Sequence, residues 1–446
     1  MRSRLPLHPA SVLALAFLAV IAAGTGLLMF PWASSSGHAA PFLTALFTAT
    51  SAVCVTGLVV VDTGTYWSGP GQVVVMALFQ IGGFGMMTSA TLMVLLIGGH
   101  MRLRTRLLLQ TETHALSLGD VKAVATVVLI VTLVCEAVVA VWLATRFAIT
   151  ASDLSWQQAL WHGLFHSVSA FNNAGFSTWP DSVMRYGTDG WVLAPLMLAI
   201  VVGGLGFPVI SELWANSRNR RARWSIHAIL TVWGSLALIV LGTAVIWLTE
   251  SGNPKTLGNY TFPDQGLAAL FTSVSARTAG FNAVDIGALR LESLTLHYVL
   301  MFIGGGSAGT AGGVKVTTTF IILLIVWNEI RGRRDVEFRG RRISTAVQRQ
   351  ALSLLVLGGA AVSLGTLIII PLAPMPLDKL LFEVVSAFAT VGLSTGITAD
   401  LPPAAQCVII ALMYAGRVGV VTLALALATN QAARPFRYPE EKPIVG

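Results

Sequence analysis

Four short runs in this 446-residue chain share one form: LFTATSAVCVTGL (46–58), LFHSVSAFNNAGF (164–176), LFTSVSARTAGF (270–281) and LFEVVSAFATVGL (381–393). Each opens on Leu-Phe, carries Ser-Ala midway and closes on a glycine followed by Leu or Phe. The chemistry that four such loops can perform together is dehydration of a cation. A bare cation is tolerable inside a protein only if several oxygens replace its water at once, and backbone carbonyls of extended loops can do this. Glycine supplies the backbone dihedrals that aim successive carbonyls the same way. The candidate lining residues are therefore Val55, Thr56 and Gly57; Asn173, Ala174 and Gly175; Thr278, Ala279 and Gly280; and Thr390, Val391 and Gly392. The third run is one residue shorter between Ser275 and Gly280, which leaves its register open.

Loops of this kind need elements that hold them at membrane depth, and the composition supplies them. Hydrophobic residues make up 55% of the chain and charged residues 11%, with a mean hydropathy of +0.75, far from a soluble domain. Eight segments approach the length needed to cross a bilayer: 11–30, 73–97, 121–143, 191–213, 226–248, 296–327, 351–370 and 404–428. The basic start of the first segment resembles a secretory leader, but its apolar run reaches spanning length. Odd linkers carry the glycine-ending runs; even linkers are rich in arginine. With the start of the chain inside, 20 of 28 basic residues fall on the cytoplasmic side, so both termini are expected there. The helical stretches before the glycines are too short to span and suit re-entrant helices buried in protein. The expected fold is an all-α polytopic membrane protein. Its four parallel repeats of outer helix, re-entrant pore helix with filter loop, and inner helix surround one central pore. The repeats cover 11–99, 121–214, 226–327 and 347–429, and 430–446 forms a cytoplasmic tail.

The inner segments repeat a second pattern, IGGFG (81–85), VGGLG (202–206), IGGGSAGTAGG (303–313) and AGRVG (415–419). Glycine at matching depth allows close packing of helices or a bend, and close packing alone suffices as a reading of the first two. The third has six glycines in ten residues and cannot be a sound helix. It is expected to break into a loop lining a cavity below the filter, where it can obstruct permeation. That loop comprises Gly304, Gly305, Gly306, Ser307, Ala308, Gly309, Thr310, Ala311, Gly312 and Gly313, followed by Lys315. GTAGGVK is not a nucleotide-binding loop, because Lys315 does not follow a glycine and no strand precedes it.

Lys315 and Arg417 are charges at membrane depth, costly unless they face a pore or a partner. Aligning the closing glycines puts Arg417 where the first two repeats have Gly83 and Gly204. The alternative to a pore-facing Arg417 is a salt bridge to a buried acid, Glu136 or Glu383, and Glu383 could equally pair with Arg277. Asp62 and Asp285 each follow a filter glycine by five positions and are candidates to concentrate cations in an outer vestibule, whereas Asp181 and Asp400 read as solvated loop acids. His162 and His166 have the i, i+4 spacing of a metal pair but lack the accompanying glutamate, so a structural role is expected. Cys54, Cys135 and Cys407 lie in or beside apolar runs without disulfide or zinc spacing.

Taken as a set, SAVCVTGL, SAFNNAGFS, SARTAGFN and ATVGLSTGIT resemble the KtrB-type K+ uptake subunits of the TrkH/Trk/KtrB superfamily, over essentially the whole chain. Only Thr390-Val391-Gly392 reads closely like the TVGYG loop of K+ channels, and none of the four runs has its second glycine, so weaker discrimination against Na+ is expected. The resemblance implies a channel-like K+ translocating subunit without enzymatic activity, with K+ at the filter carbonyls as its only metal and no covalent cofactor. It assigns gating to 304–313 and an electrostatic barrier to Arg417. It also implies a homodimer in the bacterial plasma membrane, Na+ as a possible activator, and a cytosolic ring of KtrA-type nucleotide-binding subunits. A secondary active symporter coupled to Na+ or H+ is the alternative; an intramembrane hydrolase has only HGLFH to support it.

Overall fold

The computed structural model describes residues 9–99, 118–150, 154–218 and 224–419. The amino-terminal arginines, most of the basic stretch 101–122, residues 219–223, the end of the last expected span and the tail at 430–446 lie outside the described residues.

Each repeat has the expected three parts. The outer helices are Pro9–Leu28, Leu118–Thr150, Ile226–Glu250 and Thr345–Ile369. The pore helices are Phe42–Val53, Trp156–Phe171, Phe262–Ser275 and Leu377–Ala389, of 12, 16, 14 and 13 residues. At ~1.5 Å per residue none of these reaches across a bilayer. Their starts are set by local chemistry: prolines precede the first and fourth, and a Ser155/Gln158 capping box opens the second. The inner segments begin at Gly69–Gly99, Gly190–Leu205, Leu291–Phe302 and Pro403–Val418.

Among the described residues, five helices are individually long and apolar enough to cross a membrane, or six if the bent pair in the second repeat is counted as one span. The two remaining expected spans correspond to shorter apolar helices, Leu291–Phe302 with Val316–Ile330, and Pro403–Val418. Val134, Val138 and Val141 form an exposed stripe, as suits a lipid-facing helix. Besides two isolated bridges, Ser34 with Trp67 and Ile303 with Val314, the paired strands among the described residues are a hairpin, β1 (Glu337–Phe338) and β2 (Arg341–Arg342), in the arginine-rich linker between repeats three and four.

The Leu-Phe that opens each run has a packing reason. Phe47, Phe165, Phe271 and Phe382 are all fully buried, as are the closing Leu58, Phe176, Phe281 and Leu393 to within 1%. Each run is thus anchored by large apolar groups on both sides of its loop, the burial of each contributing about 1.5–3 kcal/mol.

The inner glycines explain how the helices approach the pore helices. A Cβ at Gly82 would lie 2.1 Å from the Val53 carbonyl oxygen, one at Gly203 1.9 Å from that of Phe171, and one at Gly416 1.8 Å from that of Phe388. These three glycines are structurally equivalent, so the next residues, Gly83, Gly204 and Arg417, align as the sequence indicates. Close packing nevertheless accounts only for the first repeat, whose helix runs unbroken through Gly85. In the second, the helix stops at Leu205, Gly206 adopts φ +90°, and the chain resumes as Phe207–Arg218. The two pieces are bent by 101°. Of the two readings, packing or a bend, the second holds here: Pro208 follows immediately and has no N–H to offer the Gly204 carbonyl, so a straight helix could not close its own hydrogen bonds.

This packing predicts a contrast between two glycines. Gly416→Ala places a methyl against fixed backbone and should lower stability by roughly 1–3 kcal/mol. Gly359→Ala, in the fourth outer helix with nothing within 4 Å, should be neutral or stabilising. Melting temperatures of the two purified variants in detergent decide it; equal behaviour would refute the packing account.

Candidate functional site

The four loops close into a ring. A Cβ on Gly57 would meet the Ala174 carbonyl oxygen at 2.4 Å, on Gly175 that of Ala279 at 2.9 Å, on Gly280 that of Val391 at 2.4 Å, and on Gly392 that of Thr56 at 2.2 Å. Each glycine therefore abuts the backbone of the next repeat, and the fourth returns to the first. The glycines have φ of +92°, +70°, +79° and +94°. Two residues before each, Val55, Asn173, Thr278 and Thr390 are also left-handed, at +55°, +57°, +75° and +50°. The residue between has negative φ, and this alternation lets consecutive carbonyls face one side. Thr278 and Gly280 keep the pattern, so the third loop is in register through Thr278-Ala279-Gly280. Its missing residue lies upstream.

Left-handed backbone at β-branched Val55, Thr278 and Thr390 costs of order 1–3 kcal/mol each and persists only where the surroundings impose it. The serine of each Ser-Ala is the main restraint. Ser51 and Ser386 hydroxyls accept from the Gly57 and Gly392 N–H groups, both at 3.1 Å. Ser169 and Ser275 instead donate to the Phe176 and Phe281 carbonyls at 2.8 and 2.6 Å. The serine carbonyls also accept from the loops, Ser51 from Thr56 at 2.7 Å, Ser169 from Ala174 at 2.8 Å and Ser386 from Val391 at 2.9 Å. The sequence pattern contained these serines at a constant place without revealing their task.

The residue after each Leu-Phe has a related role in two repeats. His166 Nε2 bonds Ser177 Oγ at 2.9 Å, and Glu383 accepts from Ser394 Oγ at 2.6 Å, the Thr395 N–H at 3.0 Å and Thr398 Oγ1 at 2.7 Å. His162 bonds Thr178 at 2.6 Å, and His166 stacks on Trp179. Both histidines hold the irregular segment leaving the second loop, and among the described residues no group of three metal-ligating side chains occurs.

Above the ring lies a cavity of about 340 Å³ whose walls include all four glycines together with Asp62 and Asp285. Each aspartate also caps a short turn, Asp62 accepting from the Thr65 N–H at 2.7 Å and Asp285 from the Gly287 N–H at 2.9 Å. Asp181 is paired with Arg185 at 2.7 Å, while Asp400 is exposed at the end of a short turn that begins at the buried Thr398. The four pore helices end at the ring, directing their partly negative carboxyl ends toward it.

Below the ring, 304–313 is a closed loop interrupting the third inner helix. Its base is pinned by Gly304 N–H to the Val314 carbonyl at 2.8 Å and Val314 N–H to that of Phe302 at 3.1 Å. Its tip uses the carbonyls freed by the second repeat's bend: Gly306 N–H donates to Gly204 at 2.8 Å and Thr310 N–H to Gly203 at 3.1 Å. A Cβ on Gly312 would collide with Thr390 Oγ1, so the loop lies directly against the fourth candidate filter residue. Lys315 Nζ donates to the Ala311 carbonyl within the loop.

Arg417, 1% exposed, bridges two repeats: Nη1 donates to the Thr310 carbonyl at 2.5 Å and Nη2 to the Gly82 carbonyl at 3.2 Å. It pairs with neither candidate acid. Glu136 accepts instead from Gln80 at 3.2 Å and Asn172 at 3.1 Å, and Glu383 is occupied by the serine and threonines behind the fourth loop. Arg277 does not pair with Glu383 either. It donates to Ser235 Oγ at 3.0 Å and to the Gly304 carbonyl at 3.2 Å, tying the third pore loop to the start of 304–313. The charges were visible in the sequence and their partners were not, because backbone carbonyls leave no mark in side-chain identity.

Separate networks around Arg417 and Glu383 imply additivity. Arg417→Gln and Glu383→Gln should lower stability independently, the double variant matching the sum within about 0.5 kcal/mol. A coupling well above that in a double-mutant cycle would restore the salt bridge.

The cation transport protein family TrkH matches residues 8–434. "Ktr system potassium uptake protein B" of Bacillus subtilis is 37% identical over 98% of this chain and 97% of its own length. The protein of the same name in Vibrio alginolyticus is 36% identical over 98% and 94%. "Potassium/sodium uptake protein NtpJ" of Enterococcus hirae is 34% identical over 100% and 99%. The crystal structure of the potassium transporter TrkH from Vibrio parahaemolyticus superposes with a TM-score of 0.75 at 19% identity, covering 96% of this chain and 86% of that one.

Proposed function

The chain belongs to the TrkH family of cation transport proteins, and on that premise we propose that it is the K+-translocating subunit of an uptake system, passing the ion passively through the ring of four loops. The observation that carries this reading is the closed cycle of glycines, each left-handed and each against the carbonyl of its neighbour. K+ sheds its water against the carbonyls of Val55 to Gly57 and their counterparts in the other repeats, aided by the four pore-helix ends. Asp62 and Asp285 raise the local cation concentration in the cavity above. The role is transport; the protein is not an enzyme.

The loop 304–313 is the gate. Its position against Thr390 and its hydrogen bonds to the bent second inner helix support this, since a loop held by few backbone bonds can be released by movement of that helix. Arg417 joins the gate to the first inner helix and sets an electrostatic barrier to a cation, strengthened by low-dielectric surroundings. Two relatives are each named protein B of a Ktr system, which supports a partner from the same system. In this proposal that partner is cytosolic and nucleotide-binding and the chain is a homodimer in the bacterial plasma membrane, and the excess of basic residues on one side supports both termini being cytoplasmic. One relative is named for uptake of both potassium and sodium, which supports a part for Na+ beside K+, in this proposal that of an activator.

The first test is growth rescue of a K+-uptake-deficient bacterium, with and without a KtrA-type partner, followed by tracer uptake. Uptake that tracks the K+ gradient alone agrees with passive flow; accumulation locked to a Na+ or H+ gradient would replace it with symport. Gly392→Ala, which sets a methyl 2.2 Å from the Thr56 carbonyl oxygen, should reduce preference for K+ over Na+ several-fold. Unchanged preference in alanine variants of all four glycines would remove the filter assignment.

Arg417→Gln and deletion within 306–312 should each raise K+ flux per purified protein, and together give little more than either alone, because Arg417 grips the loop it helps to close. Lower normalised flux in folded, membrane-inserted variants counts against both roles.

A further inference from the structure

An apolar groove of about 760 Å³ runs between the third outer helix, Ile226–Glu250, and the second half of the third inner helix, Val316–Ile330. Its walls are side chains that the fold leaves open: Trp233 is 60% exposed, Leu323 54%, Trp327 52% and Ile330 75%. At one end Phe338 and Arg339 of the hairpin close it. There it continues into a hollow of about 620 Å³ that shares Trp233 and Arg339 and adds Trp224 and Arg341.

The hairpin is built to present these two arginines. Arg339 and Gly340 have φ of +50° and +73°, the backbone of a tight two-residue turn between paired strands, and Phe338 faces Arg341 across the ladder. Val336 and Ile343 are buried beneath it and joined by a 2.9 Å hydrogen bond, so it is seated on the helix. Arg342 is paired with Asp335 at 2.9 Å. Among the described residues, no carboxylate lies within ion-pair distance of Arg339 or Arg341.

We infer that this is a binding site for an anionic phospholipid, with the phosphate between Arg339 and Arg341 and the acyl chains along Trp233, Leu323 and Trp327. A trough of bare apolar side chains on two spanning helices, ending at two guanidinium groups without a carboxylate and flanked by tryptophans, has the polarity of one amphiphile. A water-soluble partner cannot reach along the spans, where Trp233 and Leu323 line the trough.

The full-length protein, reconstituted in phosphatidylcholine vesicles with increasing dibrominated phosphatidylglycerol, reports occupancy through tryptophan quenching, independently of transport. Trp233→Phe/Trp327→Phe isolates the contribution of the groove. The expected result is saturable quenching from this pair at a low mole fraction of the anionic lipid, absent with dibrominated phosphatidylcholine. Arg339→Gln or Arg341→Gln should raise the half-quenching fraction about five-fold each, and the double variant about 30-fold. Arg333→Gln, outside the groove, should leave it unchanged. Equal quenching by both lipids, or a double variant indistinguishable from the parent at unchanged melting temperature, overturns the site. Displacement of the lipid by millimolar inorganic phosphate alone identifies a free-anion site and also overturns it. Efficient cross-linking of a Val326→Cys variant to a second copy shows the groove covered by protein and likewise overturns the lipid site.

Discussion

Inside a bilayer every backbone N–H and C=O must find a partner within the protein, and this structure places much of its irregular backbone at the one depth where water cannot help. Four non-helical loops meet at the ring, a ten-residue loop sits beneath them, and one inner helix breaks beside it. None of these segments satisfies itself. The serines brace the ring loops, the carbonyls of Gly203 and Gly204 exposed by the bend receive the N–H groups of Thr310 and Gly306, and the ends of 304–313 are tied to each other. The bent second helix and the third repeat's loop are therefore one device: straightening the helix would withdraw the acceptors on which the loop rests.

The same shortage of water explains how the central charges are treated. Arg417 and Arg277 donate to backbone carbonyls and a serine, while Glu136 and Glu383 accept from amides, hydroxyls and an N–H group. Carbonyl dipoles can offset part of the cost of burying a charge without neutralising it. A salt bridge would have neutralised Arg417, whereas two carbonyl acceptors from different repeats leave its charge uncancelled and make it a brace between the first inner helix and the loop.

Building the ring from four non-identical repeats in one chain allows each position to be specialised. The residue after Leu-Phe is His166 in the second repeat and Glu383 in the fourth, each holding a serine two residues past the glycine; in the first it is Thr48, whose hydroxyl has no partner, and in the third Thr272, which bonds its own helix at Ala268. The serine clamp differs too, accepting from the glycine N–H in repeats one and four but donating to the following carbonyl in two and three. The ring is fourfold in topology and not in chemistry.

Fold class, the number of repeats and the identity of the central residues were legible before any coordinates. Hydropathy reports burial in lipid directly, and the glycine spacings report close approach, because no other residue leaves room at Gly82, Gly203 or Gly416. The broken third helix was legible because six glycines destroy helical propensity locally. The bend at Gly206 was legible only in part. Pro208 marked a lost hydrogen bond, but whether a helix continues past such a point depends on whether another segment takes the orphaned carbonyls, and that segment lies about a hundred residues away. The partners of Arg417 and Arg277, the register of the third loop and the division of labour among the serines were decided by the folded chain alone. Each depends on a backbone carbonyl or N–H group, which every residue but proline carries alike, so only the fold can say which of them comes within reach.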